Sequence, residues 1–169
     1  DQTDNRLVAP ALGVDATLPG TNEQLLFTVR LDHAWTDRLS TALRGHHGRV
    51  SLQRQGGGLT GGVTFPSAGS AQERISTNIA LTLVYAGDGF DYAGALQASR
   101  FDGDYGEPVA GDAPQASLYA AGDLSAPIAV IGHPGFIFDE TEKTIQTRHK
   151  ITIDAGRHRV KFGADALFA

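Results

Sequence analysis

Over long stretches of this chain, apolar and polar residues alternate with a period of two. That is the pattern of strands that show one face to each of two environments. It is clearest near the end of the sequence. There Ile145, Thr147, His149, Ile151 and Ile153 fall on one face, and Gln146, Arg148, Lys150 and Thr152 on the other. A tight turn predicted at Ala155-Gly156 leads into a second strand, where Val160, Phe162, Ala164, Ala166 and Phe168 oppose Arg157, Arg159, Lys161 and Asp165. Further back, Leu25, Phe27, Val29, Leu31, His33 and Trp35 alternate with Leu26, Thr28, Arg30, Asp32, Ala34 and Thr36. Asp37-Arg38 turns that strand into one of weaker alternation over 39–52. Ile75, Thr77, Ile79, Leu81, Leu83 and Tyr85 mark the next, and Gly87-Asp88-Gly89 is a hairpin signal leading into a strand over 90–101. The reading is all-β: an antiparallel meander of about six strands over 25–169, with 1–24 as a loop or linker.

The connections alternate in length. Asp37-Arg38, Gly87-Asp88-Gly89 and Ala155-Gly156 are short, whereas 53–72 and 102–140 are long. Loops beyond roughly 15 residues are uncommon in compact domains. Alternating short turns and long loops are the layout of an outer-membrane barrel, with turns in the periplasm and loops outside. Trp35, Tyr85 and Phe90 flank the short turns, where an aromatic girdle is expected. With the turns in the periplasm, the first strand starts outside and the last ends outside. About six strands are also fewer than the smallest single-chain barrels contain. The expectation is therefore a piece of a larger transmembrane barrel, with two strand edges in need of partners.

Composition is compatible with this picture. Hydrophobic residues make up 41%, and no apolar run approaches the roughly 20 residues that a membrane helix requires. A barrel needs apolar residues only at every second strand position. With Gly 21 against Pro 7, turns and strands are favoured over long helices. Cys 0 excludes disulfides and thiolate metal sites. The net charge of −5 is spread along the chain, without the basic block that marks a nucleic-acid partner. The start, Asp1-Gln2-Thr3-Asp4-Asn5, has neither Met nor a signal peptide and is expected to be processed or cut.

Two segments resemble a known family. Gly156-Arg157-His158-Arg159-Val160-Lys161-Phe162-Gly163-Ala164-Asp165, with Glu142-Lys143-Thr144-Ile145-Gln146 ahead of it, is similar to a strand of TonB-dependent outer-membrane receptors, particularly their Oar-like branch. Arg30-Leu31-Asp32-His33-Ala34-Trp35-Thr36-Asp37-Arg38-Leu39 resembles their early barrel hairpin, in the same order and spacing. The resemblance covers 25–169. It implies a bacterial outer-membrane location and a barrel of roughly 22 strands, closed by an N-terminal plug. It also implies uptake of a large solute driven by the TonB complex. Its partners would be outer-membrane lipid, the remaining barrel strands and the plug. The chain departs from the family in carrying no recognisable plug, TonB box or later barrel strands.

Candidate sites are few. No catalytic residue or cofactor is expected. Facing alone selects the lumen-side cations Arg148, Lys150, Arg159 and Lys161 as solute contacts, together with Asp102, Asp104 and Glu107 in a loop. Asp102-Gly103-Asp104-Tyr105-Gly106-Glu107 alternates carboxylates with glycines but lacks the EF-hand pattern, so a solvated turn is expected. His46 and His47, as neighbours on a strand, should point to opposite faces and not share an ion. Gly56 to Gly62 lacks the Lys-Ser/Thr of a phosphate loop and reads as a flexible loop. No G-x-S-x-G elbow occurs. The run Ala126-Pro127-Ile128-Ala129-Val130-Ile131, followed by Phe136, Ile137 and Phe138, is apolar for an outer loop and is expected to pack on a neighbouring loop. A competing reading is a soluble β-sandwich acting as a carbohydrate-binding or adhesin-like module, its oily face packed inside. A third is a small pore built from several copies.

Overall fold

The computed structural model describes residues 2–57, 62–106, 113–132, 135 and 138–169. Its strands are β1 (Gln2–Ala9), β2 (Val14–Thr36), β3 (Leu39–Arg54), β4 (Ser70–Ala86), β5 (Phe90–Gly106), β6 (Ala116–Ala120), β7 (Asp123–Ile131), β8 (Phe138–Ala155) and β9 (His158–Phe168). Single 3-10 turns lie at Pro10–Leu12 and Pro66–Ala68, and no α-helix occurs among the described residues. Seven strands form one antiparallel sheet in the order β1-β2-β3-β4-β5-β8-β9, which does not close on itself. β6 and β7 form a separate hairpin. The antiparallel meander is thus the one that the alternation predicts.

The main sheet has an extra strand at its start. Residues 1–24, expected as a loop or linker, contain β1, a 3-10 turn and the first part of β2. Gln2 to Ala9 pair with Thr21 to Val14, and Pro19 lies opposite Asp4. The residues that look like breakers have local uses. Pro10 opens the 3-10 turn, where its fixed φ is suitable, and Gly13 closes it in the left-handed region at φ 67°. Arg6 donates to Asp15 through Nε at 2.9 Å and Nη2 at 2.6 Å, pinning the two strands together. That hydrogen bond holds the exposed Asp15 carboxyl below its ordinary range.

The chain divides into two compact units. The first comprises 1–25, 49–74 and 103–140; the second comprises 26–48, 75–102 and 141–169. The first unit holds the described apolar core, small as it is: Leu7, Ala9 and Ala129 are buried. Backbone hydrogen bonds build it. Val8 N–H donates to Gly62 O at 2.9 Å and Gly62 N–H to Arg6 O at 3.0 Å. Three residues on, Phe65 N–H donates to Val130 O at 2.8 Å, and Val130 N–H donates back to Val63 O at 2.9 Å. Residues 62–65 therefore run beside both β1 and β7 as short parallel bridges. The described ends of the glycine-rich stretch are hydrogen-bonded backbone and not a free loop; 58–61 lie outside the described residues. The apolar run expected to pack on a neighbouring loop does so as part of β7, against the Pro66–Ala68 turn and the 63–65 segment. Phe136 and Ile137 lie outside the described residues.

In the second unit the three short turns lie side by side. Ala86 N–H donates to Arg38 O at 2.8 Å, and Asp154 N–H to Gly89 O at 2.9 Å. Arg38 also pairs with Asp88 at 2.8 Å. The last turn differs by one residue from the expected Ala155-Gly156. Ala155 pairs with His158, so Gly156-Arg157 make the turn. Gly156, at φ 62°, takes the first turn position, which a two-residue hairpin needs in the left-handed region.

Gly57 offers a direct check on the packing of the first unit. It sits at φ 67°, and a Cβ there would lie 2.8 Å from Arg6 O. Gly57→Ala should therefore loosen β1, speeding hydrogen exchange of the Val8 amide at least about tenfold while leaving Asp154 protected. Unchanged exchange at Val8 would show that β1 does not depend on this approach.

Candidate functional site

Cross-strand contacts establish which side chains share a face in the second unit. Val29 lies against Gly45, where an added Cβ would sit 3.0 Å from Val29 Cγ1. Trp35 Nε1–H donates to Thr41 Oγ1 at 3.0 Å. His47 Nδ1 meets Thr77 Oγ1 at 2.9 Å. The rings of Tyr85 and Phe90 lie 6.0 Å apart, and Tyr92 Oη meets His149 Nδ1 at 2.6 Å. From β8 to β9 the register is direct: Ile151 opposite Phe162 and Ile153 opposite Val160. With strict alternation along each strand, one apolar face emerges. It carries Phe27, Val29, Leu31 and Trp35 of β2, Leu39 and Leu43 of β3, and Ile75 to Tyr85 of β4. Phe90 and Leu96 of β5, Ile151 of β8 and Phe162 of β9 continue it.

Among the described residues of the second unit no apolar side chain is buried. Phe27 is 61% exposed, Leu31 64% and Phe162 52%. A soluble monomer rarely leaves so large a contiguous apolar area in water. The face is bounded as well as broad. On β4 it runs from Ile75 to Tyr85, about 33 Å along the strand at ~3.3 Å per residue. On β5 it gives way to Arg100, which donates to Asp102 through Nε at 2.7 Å and Nη2 at 2.8 Å.

Several polar groups within the apolar face are hydrogen-bonded to one another. His149 is bracketed by Tyr92 Oη on Nδ1 and by Thr147 Oγ1 on Nε2, the latter at 2.8 Å. Each hydroxyl can donate or accept, so both ring nitrogens have a complementary partner whichever tautomer is present. His33 packs edge-on against Trp35, ring centroids 4.4 Å apart. Sequence reasoning missed the Tyr92–His149–Thr147 group. The available signal was a histidine at an apolar position of an otherwise regular alternation.

The opposite face is charged and cross-linked. Arg148 lies directly across from Asp165, Nε to Oδ1 at 2.8 Å. Arg159 lies across from Asp154 and donates to both of its oxygens, at 2.6 and 2.9 Å. Arg30 and Asp32, two apart on β2, pair at 2.6 Å. Thr28 meets His46 Nδ1 at 3.3 Å on this face. His46 and His47 thus contact Thr28 and Thr77 on opposite faces, as strand geometry requires. Ser99 and Thr144 join hydroxyls across β5 and β8. Leu26, Val84 and Leu167 are the exposed apolar interruptions of this side.

The four cations selected from sequence do lie on one face, but they differ in availability. Carboxylates across the ladder occupy Arg148 and Arg159, whereas Lys150 and Lys161 form no ion pair among the described residues. Lys150 faces Gly163 and Lys161 faces Thr152. Asp102 and Asp104, placed in a loop from sequence, belong to β5. Asp102 is engaged by Arg100 and by Thr141 Oγ1 at 2.9 Å, and Asp104 lines a cavity with Ser51, Gln53 and Glu73. Glu107 lies outside the described residues. No group of three or more metal-ligating side chains occurs among the described residues.

No protein-family model, no curated protein and no solved structure matches the chain.

The Arg148–Asp165 register can be tested by charge reversal. Arg148→Asp alone sets two carboxylates opposite each other and should lower unfolding stability by about 1 kcal/mol. The swap Arg148→Asp with Asp165→Arg should recover most of that loss in chemical unfolding. Failure of the swap to recover it would contradict the register.

Proposed function

We propose that the chain forms part of the wall of an outer-membrane β-barrel, a TonB-dependent receptor that takes up a large solute. The observation that carries this reading is the bounded apolar face of the second unit, exposed along its strands and backed by a face of cross-strand ion pairs. Strands tilted by about 40° turn the ~33 Å apolar run of β4 into a band about 25 Å tall, the height of the outward apolar zone of outer-membrane barrels. Strand length agrees. β2 has 23 residues and β4 has 17, whereas strands of globular domains usually have about 3–10. Trp35, Tyr85 and Phe90 sit beside the short turns as an interfacial girdle would.

On this reading the apolar face meets lipid and the charged face lines the lumen. On the lipid side His149 is tolerable because both of its ring nitrogens are hydrogen-bonded within the same face. The resemblance of 156–165 and 30–39 to TonB-dependent receptors supplies the finer assignment: a plug and further strands complete the barrel, and the TonB complex drives uptake. Of the four cations selected from sequence, Lys150 and Lys161 are those without an ion pair among the described residues and so are left to meet a solute. Alanine at both positions in the intact receptor should lower uptake, and unchanged uptake would remove them from the solute path.

Substitution at Leu31 separates lipid from water. Leu31→Arg places a cation near the middle of the apolar band and should cost about 2–4 kcal/mol of folding stability in bilayers. Asn78→Arg, on the charged face, should stay within roughly 0.5 kcal/mol. Were the apolar face in water, Leu31→Arg would be as mild as Asn78→Arg in the same unfolding measurement.

A further inference from the structure

Between its borders the apolar face of the second unit holds four histidines and no permanently charged side chain. At its alternate positions in β2 (27–35), β3 (39–47), β4 (75–85), β5 (90–98), β8 (145–153) and β9 (158–168) there is no Asp, Glu, Lys or Arg. Its titratable groups are His33, His47, His149 and His158, with the phenols of Tyr85 and Tyr92. Beyond the face, the next charges at the same alternate positions of these strands are Glu23, Arg49, Glu73, Arg100 and Lys143. Arg49 is already paired with Glu73 at 2.6 Å and Arg100 with Asp102 at 2.7 Å. At the other end the turns carry Asp37, Arg157 and the Arg38–Asp88 pair. Arg30, Asp32 and Arg44, near His33 in sequence or sheet, occupy positions of the charged face. Because the short turns lie side by side, depth can be counted from them. On β4 the face runs from Tyr85 to Ile75, two to twelve residues from Gly87, so its middle lies at seven. His149 is seven residues from Gly156, His33 four from Asp37, His47 nine from Arg38 and His158 one from Arg157. Three imidazoles thus lie within the band, His149 at its middle, and the fourth lies at its edge.

We propose that these imidazoles make the wall's hold on lipid depend on pH: neutral, they leave the band uncharged, and protonated, they favour the chain outside the bilayer. The inference rests on the wall reading and assigns a regulation to that face. Imidazole is the side chain that ordinarily changes charge between about pH 5 and 8, whereas carboxylates stay ionised and phenols neutral over most of that range. Hydroxyls of Thr77, Tyr92 and Thr147 serve His47 and His149 as hydrogen-bond partners, but they carry no charge to offset a proton. No carboxylate shares the face to pair with an imidazolium. A cation costs most at the bilayer midplane and little at the interface, so His149 dominates and His158 contributes least. The unfolded chain in water carries its imidazoliums without that cost. Protonation therefore shifts the balance away from the lipid-embedded wall, and stability in bilayers falls as pH drops through the imidazole range.

The test folds the full chain into phosphocholine vesicles and follows urea unfolding by circular dichroism at about pH 8 and about pH 5. The folding equilibrium constant should fall at least about a hundredfold on acidification. The triple variant His33→Gln, His47→Gln and His149→Gln should hold its constant within about threefold, whereas His46→Gln, on the charged face, should keep the full loss. His149→Gln alone should remove at least about threefold of the loss, which keeps the test decisive where the triple variant does not fold. Equal constants at the two pH values, the full loss retained in the triple variant or in His149→Gln, or a loss abolished by His46→Gln would each overturn the proposal. Entry into the vesicles at the higher pH tests the wall reading separately. A chain that stays out of lipid there overturns both readings, whereas one that enters and is equally stable at the lower pH overturns the switch and leaves the wall standing.

Discussion

Everything in the second unit follows from one constraint: a single layer of sheet has two faces and only one can meet water comfortably. The ladder satisfies the backbone, so alternation is free to make the faces chemically opposite. Here one face takes Phe27, Leu31, Ile79 and Phe162, and the other takes Arg30, Arg148, Asp154 and Arg159. In a β-sandwich the first set would be covered by a second sheet about 10 Å away. None of its large apolar side chains is buried among the described residues, so the hydrophobic requirement has to be met by something other than this chain's own layer.

The charged face shows how the same sheet remains ordered where it meets water. Arg148 with Asp165 and Arg159 with Asp154 are direct cross-strand partners. Exposed ion pairs of this kind add little stability each. Their larger effect is on register, because slipping by one residue would put every one of these charges on the apolar face. The two faces therefore enforce each other, and the Tyr92–His149–Thr147 group keeps a polar exception hydrogen-bonded within the apolar face.

Much of this was legible in the sequence, and the remainder was hidden for identifiable reasons. Period-two alternation gave β2, β4, β8 and β9 and the facing of all four candidate cations. It could not show that Arg148 and Arg159 are already paired, because Asp165 lies opposite Arg148 only once the hairpin register is known. The turn moved by one residue because the left-handed φ falls on Gly156 as the first of two turn positions. β1 was missed because Pro10, Gly13 and Pro19-Gly20 read as punctuation, although Pro10 and Gly13 shape a 3-10 turn and Pro19 is tolerated opposite Asp4. The bridge from Leu7 to Gly62 carried no local signal at all, because it joins segments far apart in sequence.

The measurement that bears most directly on the two-solvent account uses Trp35, the chain's single tryptophan. It lies on the apolar face beside the Asp37-Arg38 turn and is 62% exposed. The chain would be folded into bilayers whose lipids carry bromine at defined depths, and the indole emission recorded. The account predicts blue-shifted emission, quenched most strongly by bromines near the headgroup boundary and less by those at the bilayer centre. Emission typical of water and indifferent to brominated lipid, from a chain that stays a cooperative monomer in buffer, would contradict it.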